Sequence, residues 1–143
     1  FQLVREHSYT IEFEKQGRLL VAPGFITIAD YDVFMIYLVN EAGDIVWSFQ
    51  PMEDYDNLYA LKGMVCLDMD GDGMKDVVVL ARYSYSGPEG ELLIDTKCDI
   101  YYQRTDGFEA EKNFGAIYQC TEDDTMEELV GIIREYWGWP KEE

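Results

Sequence analysis

Four aspartates fall within nine residues, in the run Asp68-Met69-Asp70-Gly71-Asp72-Gly73-Met74-Lys75-Asp76. They hold positions one, three, five and nine, with glycine at position six. Carboxylates at alternate positions converge on one centre only where the chain curls tightly. Gly73 permits the positive φ that such a curl needs. A ring of hard oxygens suits Ca2+, which takes about six to eight oxygen ligands in irregular geometry, and D-x-D-x-D-G is its EF-hand-like signature. In this reading Asp68, Asp70 and Asp72 donate side-chain oxygens and Met74 its backbone carbonyl. Asp76 completes the shell directly or through a water. A true EF-hand carries a bidentate glutamate at its twelfth position. Here that position is Val79, inside an apolar run, so Asp76 and waters must take more of the coordination. The bland alternative is an acidic turn that binds nothing. Against it, four carboxylates this close repel one another, and Lys75 supplies one local positive charge.

Other chemistry finds less support. His7 is the single histidine, so a nucleophile–histidine arrangement has to use a residue beside Glu6 near the start of the chain, where an exposed role is the simpler reading. Gly71-Asp72-Gly73 is too acidic to cradle phosphate. Glu12, Glu14, Asp54 and Asp56 can be nominated as a glycosidase pair, but nothing separates them from solvated surface. The expectation is a non-enzymatic protein. Cys66, Cys98 and Cys120 lack C-x-x-C spacing, which argues against zinc and thioredoxin-like chemistry. Cys66 reads as a buried small hydrophobe. Cys98 and Cys120 can pair in an oxidising compartment, and the sequence leaves that open. Among the aromatics, Tyr83, Tyr85 and Trp139 are the ones to watch as a sugar-stacking surface. Tyr55, Tyr59, Tyr101, Tyr102 and Trp137 read as packing.

With 143 residues, the chain reads as one β-rich domain spanning 1–143, long enough to bury a core unaided. A net charge of −18 sets it against phosphate backbones and anionic headgroups, excluding nucleic acid and favouring a metal or a basic protein as partner. The simplest account of most of that charge is the solubility of a secreted protein. No apolar stretch approaches a membrane span and no signal peptide is visible. Because the sequence opens on Phe1, it reads as a trimmed chain whose leader or lipid-anchoring segment was removed. The expectation is a protein outside the cell or at the cell surface, lipid-anchored through such a segment.

The elements that must position the aspartates are mostly strands. Ser8 to Glu14 alternates, with Tyr9, Ile11 and Phe13 on one face. Gln16-Gly17 turns into a short strand, Arg18 to Ala22, ended by Pro23-Gly24, and Phe25 to Ile28 follows as another. Asp30-Tyr31-Asp32 marks a corner. Val33 to Val39 is apolar on both faces and reads as a central strand, and Glu41-Ala42-Gly43-Asp44 as a hairpin turn into an alternating Ile45 to Phe49. Pro51 to Asn57 is an acidic loop, and Leu58 to Gly63 a helical turn or connection. Met64 to Leu67 leads into the aspartate loop and Val77 to Arg82 leads out. Tyr83 to Glu91 breaks periodicity and reads as an exposed, mobile loop. Ile94 to Arg104 forms a further strand, which Asp106-Gly107 turns into Phe108 to Asn113. Thr125 and Glu128 fit a capping box that opens a helix over about 125–137, its apolar stripe Met126, Leu129, Val130, Ile133 and Trp137. Asp123, Asp124, Glu127 and Glu128 lie at its positive end, and Gly138 and Pro140 stop it.

Residues 66–114 resemble one unit of the FG-GAP/VCBS repeat family, which reads strand, D-x-D-x-D-G-x-x-D, hydrophobic strand, then a strand closing in an Asp-Gly-Phe-like turn. The matching parts are Cys66-Leu67, Asp68 to Asp76, Val77 to Leu80, Ile100 to Gln103 and Asp106-Gly107-Phe108. The resemblance implies calcium held between two adjacent strands of a surface module. Such repeats usually come in several copies that close a propeller, and one copy is visible here. Single-copy modules of this kind are also similar to secreted or periplasmic lysozyme-inhibitor and immunity proteins.

The resulting expectation is an α+β, mostly β fold: an antiparallel, meander or propeller-blade-like sheet with one C-terminal helix packed on it. It binds one structural calcium ion through Asp68, Asp70, Asp72, Met74 and Asp76. Two other functions stay open: an acidic inhibitor of a basic protein such as a lysozyme, binding through Tyr83 to Glu91, and a carbohydrate-binding module that takes a glycan.

Overall fold

The computed structural model describes residues 2–28, 31–49, 57–114 and 118–139. Asp30, Asp54, Tyr55, Asp56 and Pro140 lie outside them, and with them most of the acidic loop from Pro51. The fold is α+β and mostly β, with the C-terminal helix packed on a sheet. Its strands form two antiparallel sheets rather than one.

The first sheet holds β1 (Gln2–Leu3), β2 (Tyr9–Phe13), β3 (Gly17–Ile28), β4 (Tyr31–Val39) and β5 (Ile45–Phe49). β3 pairs with β4, and β4 with β5. β1 and β2 share the other edge of β3 end to end. The expected break at Pro23-Gly24 is absent: β3 runs through it, with Pro23 opposite Ile36 and Gly24 opposite Met35. Proline is tolerated where no ladder bond needs its missing N–H. The carbonyl of Pro23 accepts Val4 N–H (2.8 Å), so its nitrogen side faces the gap between β1 and β2. The 40–44 turn forms as expected, with Asn40 Oδ1 accepting from Ala42 and Asp44.

The second sheet is a meander of β6 (Asn57–Leu67), β7 (Asp76–Ser86), β8 (Leu92–Arg104) and β9 (Gly107–Ala110). Leu58 to Gly63, expected as a helical turn or connection, is strand. Its pairing with β7 slips twice, between Leu58 and Ala60 and between Leu61 and Gly63. Each bulge flips the inside–outside alternation that marks a strand in sequence. Tyr83 to Ser86, expected in an exposed loop, continues β7. Tyr83 is 1% exposed and its ring lies 6.5 Å from Phe34, which leaves only residues 87–91 as the turn.

Two cores result. Between the sheets lie Phe13, Val21, Ile36, Leu38 and Phe49 against Cys66, Val77, Val79, Ala81 and Tyr83. On the far face of the second sheet, Val78, Leu80, Ile100 and Tyr102 meet Leu129 and Ile133 of α1 (Met126–Tyr136). The run Val77 to Leu80 is apolar throughout because odd residues face one core and even residues the other. Thr125 caps the helix, accepting Glu128 N–H at 3.2 Å. Met69 from the aspartate loop is fully buried in the second core. No helix among the described residues is long and apolar enough to cross a membrane.

Candidate metal centre

Residues 68–75 connect β6 to β7, and Asp76 opens β7 opposite Leu67. The side chains alternate as the sequence pattern demands: Met69 enters the core while the aspartates gather outside it. One carboxylate oxygen from each of Asp68, Asp70, Asp72 and Asp76 lies within 4.8 Å of the others, so the cluster can hold a metal ion. Gly71 (φ 81°) and Gly73 (φ 85°) both take the left-handed conformation, so the curl uses two glycines where one was expected.

The loop is held by its own carboxylates. Asp68 accepts Gly71 N–H through Oδ1 and Gly73 N–H through Oδ2, both at 2.9 Å. Asp72 Oδ1 accepts Met74 N–H at 2.9 Å. Asp76, fully buried, accepts Met69 N–H at Oδ2 and Gln103 N–H at Oδ1, both at 2.8 Å. Burial pushes its carboxyl up to about 7. The two amides pull the other way, and the Asp70 and Asp72 charges add to the rise. Asp72 is pushed up as well, by burial first; Met74 N–H opposes this, and Asp70 and Asp68 add to it. Asp70 is the odd member. Its side chain is 7% exposed, and Oδ1 is buried with no hydrogen-bond donor among the described residues. Met74 lies half-buried in the loop.

Basic partners arrive from elsewhere. Lys75 turns away from the aspartates: its ammonium meets Glu14 Oε2 at 2.8 Å and the Glu12 carbonyl at 2.9 Å. Burial alone would raise the Glu14 carboxyl. The hydrogen bonds from Lys75 and Gln103 outweigh it and hold Glu14 at about 2. Gln103, fully buried, is the hub. Its amide nitrogen donates to Glu14 Oε1 (3.1 Å) and the Lys75 carbonyl (2.9 Å), and its Oε1 accepts Lys15 N–H (2.7 Å). The charge beside the aspartates belongs to Arg104, whose Nη1 lies 3.0 Å from Asp70 Oδ2 and 3.5 Å from Asp72 Oδ2. Sequence reading placed Arg104 only at the end of a strand. Counting register back along the β7–β8 pair, from Val77 opposite Tyr101, brings it beside the loop. The helix closes the other side. Arg134 Nε donates to the Asp68 carbonyl at 3.1 Å and its guanidinium covers the Trp139 ring at 4.4 Å, while the indole nitrogen abuts Gly71.

The remaining candidates lie apart from this cluster. Cys66 is buried in β6 as expected. Cys98 and Cys120 border the second core with free thiols in contact, which raises Cys98 and lowers Cys120. Tyr83 is buried, Tyr85 half-buried, and the exposed Tyr136 and Trp137 rings are inclined at 84°, which is no flat platform for a sugar. His7 sits in a 3-10 turn, Arg5–His7, between β1 and β2. No family model matches the chain, and neither does any curated protein or solved structure.

Proposed function

We propose that the protein is a non-enzymatic secreted or surface module that binds one structural calcium ion through the loop from Asp68 to Asp76. The observation that carries the reading is the convergence of four carboxylates in which the buried Asp70 Oδ1 has no donor among the described residues. A buried, unpaired carboxylate oxygen is costly, and a hard cation satisfies it. All side-chain donors are oxygens, which favours calcium over zinc or copper. Asp68, Asp70, Asp72 and Asp76 would hold the ion with their carboxylates, and Met74 with its carbonyl. The order of strand, aspartate loop and strand, which the resemblance to an FG-GAP/VCBS unit leads one to expect, supports the reading.

The ion's work is to neutralise the loop and fix the register of β6 against β7. At millimolar calcium and the weak affinity of extracellular modules, that stabilises the fold by about 0.4–1.4 kcal/mol. The chelator-treated protein therefore stays folded and melts at a lower temperature. Titration calorimetry on that protein should find one calcium ion bound, and none in Asp70→Ala. Flat titrations in both would leave the loop a purely structural turn.

A further inference from the structure

Arg104 already holds two of the carboxylates for which an entering cation would compete. Its guanidinium bonds Asp70 and approaches Asp72, two of the four carboxylates. The donors on Asp68 and Asp76 are neutral backbone amides, which bring no like charge to oppose a cation. A guanidinium and a divalent ion cannot share the oxygens of Asp70 and Asp72 without strong like-charge repulsion. Nor does Arg104 saturate the site, since Asp70 Oδ1 still has no donor among the described residues. And it has somewhere else to go: Nη2 already lies 3.7 Å from Glu109 Oε1 on β9, and the side chain is about one-third exposed. The same guanidinium donates to the Gln103 carbonyl at 3.1 Å and lies 5.2 Å from the Tyr102 ring, so a swing to Glu109 exchanges its aspartate bonds for a neighbouring anion.

We infer that Arg104 is a tethered counter-charge that incoming calcium must displace, so that it sets how much calcium the loop requires and passes the binding event to the β8–β9 hairpin. This inference rests on the calcium reading above. Without the ion, the guanidinium holds Asp70 and Asp72 together. With it, the same charge moves to Glu109. Calcium affinity is therefore the difference between two cations competing for one set of oxygens, which favours a site that fills only at high calcium.

The test is calcium chloride titration, by calorimetry, of the chelator-treated full chain beside Arg104→Gln and Glu109→Gln. Arg104→Gln should bind one ion with Kd roughly five- to 150-fold lower, the usual span of coupling between two sites of one protein. It should also melt at a lower temperature in chelator. Glu109→Gln should bind a few-fold more weakly, because the displaced guanidinium loses its second anion. Binding by the unaltered chain with equal or tighter affinity than Arg104→Gln overturns the inference and leaves the calcium reading standing. Flat titrations of both overturn the two together. Binding by Arg104→Gln alone supports the inference in its strongest form. Should Arg104→Gln fail to fold by circular dichroism, the guanidinium NMR signals of Arg104 in the unaltered chain decide. A shift on calcium saturation supports displacement, and no shift with calcium bound refutes it.

Discussion

The connection into β7, residues 68–75, and the connection out of it, residues 87–91, both reverse the chain between antiparallel neighbours. The second is closed by its own atoms: Gly87 N–H to the Glu91 carbonyl, Gly90 N–H to the Gly87 carbonyl, and Glu89 N–H to the Glu91 carboxylate. The first also has local bonds, but its aspartates are answered from far along the chain, by Gln103 and Arg104, while Glu14 takes Lys75 and Arg134 reaches the Asp68 carbonyl. A turn closed by its own backbone can form early and alone. A turn built of like charges is ordered only when distant strands and the helix have delivered their partners.

The comparison is broken most directly at Asp76. Asp76→Ala strands two buried amide donors, each costing about 1–3 kcal/mol, so urea unfolding should show a loss of about 3 kcal/mol or more. No single change in 87–91 should approach that.

Acidity sharpens the same contrast. The Asp76 carboxyl is raised to about 7, so its contribution is full below its unfolded value near 4 and is lost as pH climbs through 7. Glu14, held at about 2, works in the opposite sense: its contribution is full above about 4.5 and is lost as pH falls toward 2. In chelator, the unaltered chain should lose stability between about pH 4 and pH 7, and Asp76→Asn should lose distinctly less.

Lys75→Met, which removes a partly exposed pair with Glu14, should cost about 0.5–1 kcal/mol by the same unfolding measurement. Smallest of all, three glycines inserted after Pro88 should cost about 0.5 kcal/mol, the price of a slightly longer loop. The same insertion between Gly71 and Asp72 should abolish calcium binding. Equal losses at both turns would erase the distinction.

What the sequence made legible follows the same division between local and distant causes. β2, the turn at 41–44 and the capped helix were readable because alternation, a Gly–Asp turn and a Thr–Glu cap are local signals. The aspartate cluster was readable because its spacing is its geometry. The first half of β6 was not, because two bulges erase the alternation. Nor was Tyr83 to Ser86, whose Ser and Tyr composition suggests a loop although Tyr83 fills the inter-sheet core. Pro23-Gly24 reads as a break until β1 and β2 are seen to leave a gap opposite it. Arg104 lies more than thirty positions from Asp70, and only pairing register joins them.

Trp139, beyond the helix, lies with its indole nitrogen against Gly71, buried without a partner among the described residues, and with Arg134 over its ring. Indole emission responds to the polarity and charge around the ring, so the loop has a fluorophore at its first turn. Its colour should change as the aspartates are neutralised, and Trp139→Phe should remove the change while the other two tryptophans still emit. The protein would thus report its own calcium occupancy in light.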